Sequence, residues 1–267
     1  MKSAKCKGGY IHEIPQTDIE YIGYFLGKNS NEHIKNAYAR IKALMGRAPD
    51  FFMNAELFDF GTRKAASDVV VGGQVHRLTE GYGLAFPENR TAVFSYKNNV
   101  GAKDYIGAYP VLVRNGKAET SEPSGIGGSR GRTAIGVGKG NLYIALIPDG
   151  SNDATLTELR KAFIKAGATD AINLDGGGST QFYSPSGNHF TSRNVRGFVG
   201  VWLKKSAGES YTVRVGTKLR VRSGPGTSHP RIDWLYNGDK VTVTEKSGIW
   251  CKIGEDRWAS SFYLKKG

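Results

Sequence analysis

Residues 172–180 read Ile-Asn-Leu-Asp-Gly-Gly-Gly-Ser-Thr. An apolar strand delivers the carboxylate of Asp175 onto three consecutive glycines and two hydroxyls. Glycine in regular structure costs roughly 0.5–1 kcal/mol in lost packing and added unfolded-state entropy. A run of three therefore marks a place where bare backbone is needed. Glycine lets a ligand approach the main chain, successive N–H groups can form an anion-binding nest, and Ser179 and Thr180 add hydroxyl donors. A tight turn opening at Asp-Gly is the structural alternative. Upstream, Thr155-Leu-Thr-Glu158 is a capping box; its helix presents Leu156, Leu159 and Phe163 on one stripe and stops at Gly167. The apolar runs Leu142–Ile147 and Ala171–Leu174 flank it, so the order is strand, helix, strand.

A second helix is predicted where Ile34, Ala37, Tyr38, Ile41, Leu44 and Met45 recur at helical spacing, with Gly46 as its C-cap. The stretch from Val69 to Val113 reads as a meander of strands. The expectation is an α+β domain, a mixed sheet with packed helices. The polar segment from Leu203 to Ser210 breaks the pattern. After it, short alternating runs such as Tyr211–Val215, Lys240–Thr244 and Trp250–Ile253 are separated by Gly, Pro, Asn and Asp turns, which predicts a small all-β barrel. The domains are expected at residues 1–205 and 206–267.

With 267 residues and 39% hydrophobic content the chain can bury a core without metals or disulfides, which excludes a disordered polymer or a disulfide-stapled scaffold. Cys6 and Cys251 stand far apart and outside any Cys-x-x-Cys, so two free thiols are expected. No run of about 18 apolar residues spans a membrane, and no secretory signal peptide is visible in the first fifteen residues. The net charge of +13 favours a polyanionic partner: nucleic acid, anionic headgroups or a phosphate-bearing wall polymer. The excess is spread along the chain, with 11 basic against 6 acidic residues in 209–267.

Other candidates lie elsewhere. The segment Gly125-Ile-Gly-Gly-Ser-Arg-Gly-Arg132 could cradle a phosphate with Arg130 and Arg132, or be a surface loop; it lacks the Gly-Lys-Ser/Thr close of a nucleotide-binding P-loop. Asn54 and Glu56 follow Phe51-Phe52 in what reads as an aromatic-rich strand ending at Phe58 and Phe60; Asn54 is a core amide or a substrate-positioning group. Asp149 sits in a Pro-Asp-Gly turn, and Arg193 and Arg196 precede the last strand of this part as surface arginines taken singly. Ser179 lacks a nucleophile elbow, and the five histidines show no metal-binding spacing. Asp149, Asp153 and Asp175 could contribute oxygens to a divalent cation such as Ca²⁺, without an EF-hand pattern.

Asn54, Arg132-Thr133-Ala134, Pro148-Asp149-Gly150, Thr155-Leu-Thr-Glu-Leu159, Asn173-Leu-Asp-Gly-Gly-Gly-Ser-Thr180 and a late Arg196 occur in this order. The series, over roughly residues 45–205, resembles the phosphodiester glycosidase family, whose animal member removes a covering N-acetylglucosamine from a phosphodiester. The resemblance implies hydrolysis of a sugar-1-phosphodiester between the anomeric carbon and phosphate. Three departures stand out: Asn54-Ala-Glu-Leu-Phe58 for the usual Asn-Gly-Gly-Phe-Phe, Asp149-Gly-Ser151 for Asp-Gly-Arg, and Asn152-Asp-Ala-Thr155 for Ser-x-Gly-Met-Thr. On this reading Asp175 acts at the anomeric carbon. Arg132 holds the phosphate with the Gly176, Gly177 and Gly178 amides. Asn54, Thr133 and Ser179 position the sugar, and Asp149, Glu56 and Arg196 join the binding residues.

Leu219-Arg-Val-Arg-Ser-Gly-Pro-Gly-Thr227, Gly238-Asp-Lys-Val-Thr-Val243, Gly248-Ile-Trp-Cys-Lys-Ile253 and Trp258-Ala-Ser-Ser-Phe-Tyr-Leu264 resemble a bacterial SH3 domain, which implies a tether to peptidoglycan. Together the two resemblances imply an enzyme acting on teichoic-acid-like wall polymers, at the wall or outside the cell. With no leader visible, synthesis in the cytoplasm and release like a phage endolysin is one route. A non-catalytic wall-binding protein is the alternative. A nucleic-acid binder finds no support in an aromatic-interleaved basic motif.

Overall fold

Alternation along each strand decides the layering of the first part of the chain. In β12 (Arg132–Gly138) and β13 (Asn141–Ile147), Ile135, Val137, Leu142, Ile144 and Leu146 enter one apolar core, while Ala134, Tyr143, Ala145 and Ile147 enter another on the opposite face. The two strands are joined by Lys139-Gly140, both at positive φ, the two-residue hairpin that matches strand twist. A computed structural model describes residues 1–78, 82–86, 94–97, 102–107, 109–150, 153–205 and 208–267. The chain divides into two compact units, Met1–Leu203 and Lys204–Gly267.

In the first unit a seven-stranded sheet has the order β1-β2-β13-β12-β14-β10-β11, where β1 is Lys2–Cys6, β2 Gly9–Pro15, β10 Val111–Arg114, β11 Lys117–Ala118 and β14 Asp170–Asn173. A four-stranded sheet has the order β15-β4-β16-β3, from Phe182–Tyr183, Phe51–Asn54, Gly197–Leu203 and Ile19–Leu26. Their facing sides share one core that holds Ile14, Ile135, Ile172 and Leu174 from the first sheet and Ile22, Phe51, Met53 and Val201 from the second. A five-stranded sheet, β6-β5-β9-β7-β8 (Gln74–Arg77, Val69–Val71, Asp104–Gly107, Tyr82–Phe86, Phe94–Lys97), adds Val69, Leu84, Phe86 and Ile106 to it. The meander expected over residues 69–113 is this sheet together with β10, with residues 79–81, 87–93, 98–101 and 108 outside the described part.

Helix α1 (Ile34–Met45) lies on the outer face of the four-stranded sheet, where Ile34, Ala37 and Ile41 meet Phe52, Phe198 and Trp202. It ends at Gly46 in the left-handed conformation. Helix α2 (Leu156–Ala166) covers the other face of the seven-stranded sheet with Leu156, Leu159 and Phe163. Burial of each such side chain stabilises the fold by about 1.5–3 kcal/mol. β13 and β14 flank β12 and run antiparallel to it, so α2 carries the chain across β12.

Two expectations change. Among the described residues strand far outweighs helix, with two α-helices, and every strand pairing is antiparallel, so the α+β mixed sheet gives way to layered antiparallel sheets. The strand expected to reach Phe58 and Phe60 ends at Asn54; Ala55 makes one more bond to Gly197, and the buried Glu56 then turns to Arg196 and Tyr24.

The second unit has two antiparallel sheets, β20-β17-β24 and β19-β18-β23-β22-β21, formed by Glu209–Val213 (β17), Lys218–Arg222 (β18), Arg231–Tyr236 (β19), Lys240–Val243 (β20), Glu245–Ser247 (β21), Trp250–Gly254 (β22), Arg257–Ser260 (β23) and Leu264–Lys266 (β24). They enclose Tyr211, Val213, Leu219, Cys251 and Ala259. Cys6 and Cys251 are free, each in its own unit.

The Thr155 hydroxyl accepts from the Glu158 N–H while Glu158 accepts from the Thr155 N–H, completing the box that starts α2. Thr155→Ala is expected to lower stability by about 1 kcal/mol, read as a lower urea midpoint at unchanged slope.

Candidate active site

Four strand termini meet at one edge of the two facing sheets. β14 ends at Asn173 beside the start of β12, and β4 ends at Asn54 beside the start of β16. The Asn54 side chain joins them. Its Oδ1 accepts from Thr133 Oγ1 at 2.8 Å and from the Gln181 N–H at 3.1 Å, and its Nδ2 donates to the Asp175 carbonyl at 2.7 Å. The Asp175 N–H donates to Ala55 O at 2.8 Å, so the backbone of Asp175 is held on both sides. Asn54, Thr133, Ser179, Thr180 and Gln181 are buried, while Asp175 and the three glycines after it remain partly open.

The glycines answer to geometry. A Cβ on Gly176 would stand 2.7 Å from the carbonyl oxygen of Gly131, and Gly177 has φ +55°. The amides of this turn are largely engaged: Gly176 N–H donates to Asp175 Oδ1, Gly177 N–H to Gly131 O, and Ser179 N–H to Gly176 O. The nest expected of three glycines is thus mostly closed by the protein itself. Their bareness instead makes room for Arg193, whose guanidinium lies against Gly178, donates to Ser179 Oγ at 3.0 Å and stands 4.7 Å from the Phe60 ring centroid. Arg193 and Phe60 are both exposed.

Burial pushes the Asp175 carboxyl up to about 6, against the Ser179 hydroxyl, the Gly176 N–H and the Arg193 charge, which all favour its ionised form; the Glu56 charge adds to the rise. A carboxylate facing an open turn, with a guanidinium linked to it through one hydroxyl, can stabilise a growing positive charge and bind an anion next to it.

Arg132 has another role. It is buried on the α2 side of β12, opposite Thr133, and donates to Ala154 O at 3.1 Å and Gly128 O at 2.7 Å. Burial and the neighbouring Arg130 lower its pKa to about 10. Arg130 bonds to Gly125 O and Gly127 O, so both arginines bond to carbonyls of their own glycine loop. Asp149 caps the Gly131 N–H at 2.7 Å. Glu56 lies buried with Arg196 at 2.6 Å and Tyr24 OH at 2.5 Å, a sealed support beneath the site. Asp153 accepts from Gly150 and Asp175 from Gly176, and among the described residues no cluster of carboxylates, histidines and cysteines gathers for a metal; the Ca²⁺ arrangement of Asp149, Asp153 and Asp175 does not form. Ser151 and Asn152, where two family departures fall, lie outside the described residues.

In the sequence Arg193 reads as a surface arginine and Phe60 as a strand end, and Gln181 draws no notice. Gln181 signals itself only as a polar residue directly after the hydroxyl pair; its Nε2 donates to Arg193 O at 2.7 Å. Nothing in the spacing of Thr191-Ser-Arg-Asn194 marks Arg193, since its approach to Gly178 depends on how the loop returns.

The native Asp175 carboxyl keeps its proton up to about pH 6, whereas an unfolded one loses it near ~3.9. The group therefore favours the native state below about pH 4, and that contribution is lost as pH rises through 6. Asp175→Asn is expected to be more stable than the parent at pH 7 by about 1–2 kcal/mol, with the difference vanishing near pH 4. Urea unfolding at the two pH values measures it.

A family model described as phosphodiester glycosidase matches residues 51–202, and one described as bacterial SH3 domain matches residues 217–265. Among solved structures, the catalytic domain of zebrafish N-acetylglucosamine-1-phosphodiester alpha-N-acetylglucosaminidase, auto-inhibited by its pro-peptide, is similar with a TM-score of 0.57 at 17% identity, over 73% of this chain and 77% of that one. A hypothetical protein from Synechocystis is similar with a TM-score of 0.56 at 12% identity, over 76% of this chain and 61% of that one. Both likenesses show the fold. A Bacillus subtilis (strain 168) protein named as a proposed N-acetylmuramoyl-L-alanine amidase, YrvJ, is 36% identical over 84 residues; the match takes in 27% of this chain and spans 16% of that protein's length. With its first model covering more than half of the sequence, the chain belongs to the phosphodiester glycosidase family and carries a bacterial SH3 domain behind that region.

Proposed function

We propose that the chain hydrolyses a sugar-1-phosphodiester, of the N-acetylglucosamine-1-phosphodiester type, in a bacterial wall or surface glycopolymer. The observation that carries this reading is the partly open Asp175 carboxyl set beside the exposed Arg193 guanidinium through Ser179. Phosphate leaves readily without a proton, so the reaction asks for one carboxylate at the anomeric carbon and a cation at the phosphate. Glu56, the other acid near by, is buried and gives its Oε1 to Arg196 and Tyr24, while its Oε2 has no partner among the described residues. In the oxocarbenium-like transition state Asp175 faces the positive charge growing at the anomeric carbon. Arg193 takes the negative charge growing on the phosphoryl oxygens. Asn54 and Thr133 act as positioning residues, since they hold the Asp175 backbone.

The wall assignment draws on the SH3 domain, the likeness to a Bacillus protein named for a wall amidase activity, and the net charge of +13, which suits a polyanionic wall. Peptidoglycan or teichoic-acid-like polymer is the proposed partner, and the wall or extracellular space the place of action.

With a para-nitrophenyl phosphodiester of N-acetylglucosamine-1-phosphate, Asp175→Asn is expected to lower kcat by ~10²–10⁴ and Arg193→Ala by ~10². Wild-type activity should rise as pH passes through about 6, where Asp175 ionises. Variants that both turn over at the parent rate would remove this site assignment.

A further inference from the structure

The second unit carries a groove of about 630 Å³. Its walls include the rings of Trp234, Trp250, Phe262 and Tyr263, and Phe262 is 76% exposed. Its charges come from β18, where Lys218, Arg220 and Arg222 occupy alternate positions about 7 Å apart on one face. No carboxylate lines it. Three cations gather on a single indole: Lys218 Nζ is 4.1 Å, the Arg231 guanidinium 4.6 Å and the Arg220 guanidinium 5.9 Å from the Trp234 ring centroid. Among the described residues no ion pair joins Lys218, Arg220 or Arg231 to a carboxylate.

Like charges held this close repel one another, and an anion seated among them reverses the sign of that interaction. Open aromatic faces beside them offer apolar platforms for flat ring surfaces. A neutral peptide would leave the cations without a partner, and an acidic peptide would leave the ring faces unused. A chain that alternates sugar rings with phosphates meets both requirements.

We propose that this groove binds an anionic, phosphodiester-linked sugar polymer, the class of chain that Asp175 and Arg193 are proposed to cut. Sugars lie on Trp250 and Phe262, and phosphates lie along Lys218 and Arg220, which Trp234 holds in place. The wall as source of the polymer rests on the function proposed above, whereas the chemistry of the groove stands on its own residues.

The test titrates the full-length chain carrying Asp175→Asn with three probes: a glycerol phosphate oligomer bearing N-acetylglucosamine, a neutral chitooligosaccharide, and single-stranded DNA of matched charge. The glycosylated oligomer is expected to bind tightest, and its affinity should fall with added salt. Lys218→Ala or Arg220→Ala should weaken it several-fold and reduce the slope of log K against log salt by about 0.7–0.9. Phe262→Ala should weaken it ~10-fold with little change in slope, and Lys218→Arg should restore the slope lost in Lys218→Ala. Equal binding of the neutral oligosaccharide, tighter binding of DNA, or an unaltered slope in both cation variants would overturn the proposal. The polymer titration reports on the groove and the soluble chromogenic diester on Asp175, so each reading can fail while the other stands.

Discussion

Asn54 places a primary amide where no water reaches it, at the junction of two sheets that otherwise meet through apolar side chains. A buried amide without partners would destabilise the fold by about 1–3 kcal/mol. Here its oxygen takes two donors and its nitrogen finds a carbonyl, from Thr133, Gln181 and Asp175. Four chain segments are fixed relative to one another by that single group. The carboxyl of Asp175 is therefore aimed by its main chain, held from Asn54 and Ala55, and its side chain is left to face the opening. The glycine turn, the approach of Arg193 and the partial burial that raises the Asp175 pKa all follow from this anchoring.

The helices were legible because their signals are local. The Thr155–Glu158 box and Gly167 bracket α2 as the sequence indicates, and Gly46 closes α1. Asp175 was legible because an acid on a glycine run is a conflict with propensity that regular structure does not explain. The face of the sheet on which Arg132 would emerge was not legible. That depends on the pairing of β12 with β14 and on the carbonyls that the 125–131 loop turns toward it, both set by tertiary packing. Arg193 was equally out of reach, because it lies 14 positions along the chain, past β15 and its return loop, from the hydroxyl it contacts. Both expected helices are present, and what the sequence did not show was that the sheets pair antiparallel throughout. Antiparallel layers need only a cover on each outer face, and one helix on each is sufficient.

Charge has different uses in the two units. In the first, arginines are mostly drawn inward: Arg132 and Arg130 fasten a loop, Arg160 meets Glu122, and Arg196 meets Glu56. Arg193 is the arginine that the turn after Asp175 leaves against open backbone. In the second unit basic side chains stand on an outer strand face among aromatic rings. A single value for the whole chain, +13, conceals this division between internal fastening and outward display.

Tyr24 and Arg196 both bond to Oε1 of the buried Glu56, and a side chain on Gly197 would run into both the Tyr24 hydroxyl and the Glu56 carboxylate. Any one of these positions altered alone strands a charge or a hydroxyl in the interior. Relatives that diverge here must exchange the acid and the guanidinium together, so the four sites should drift as a block and record descent more faithfully than the open rim above them.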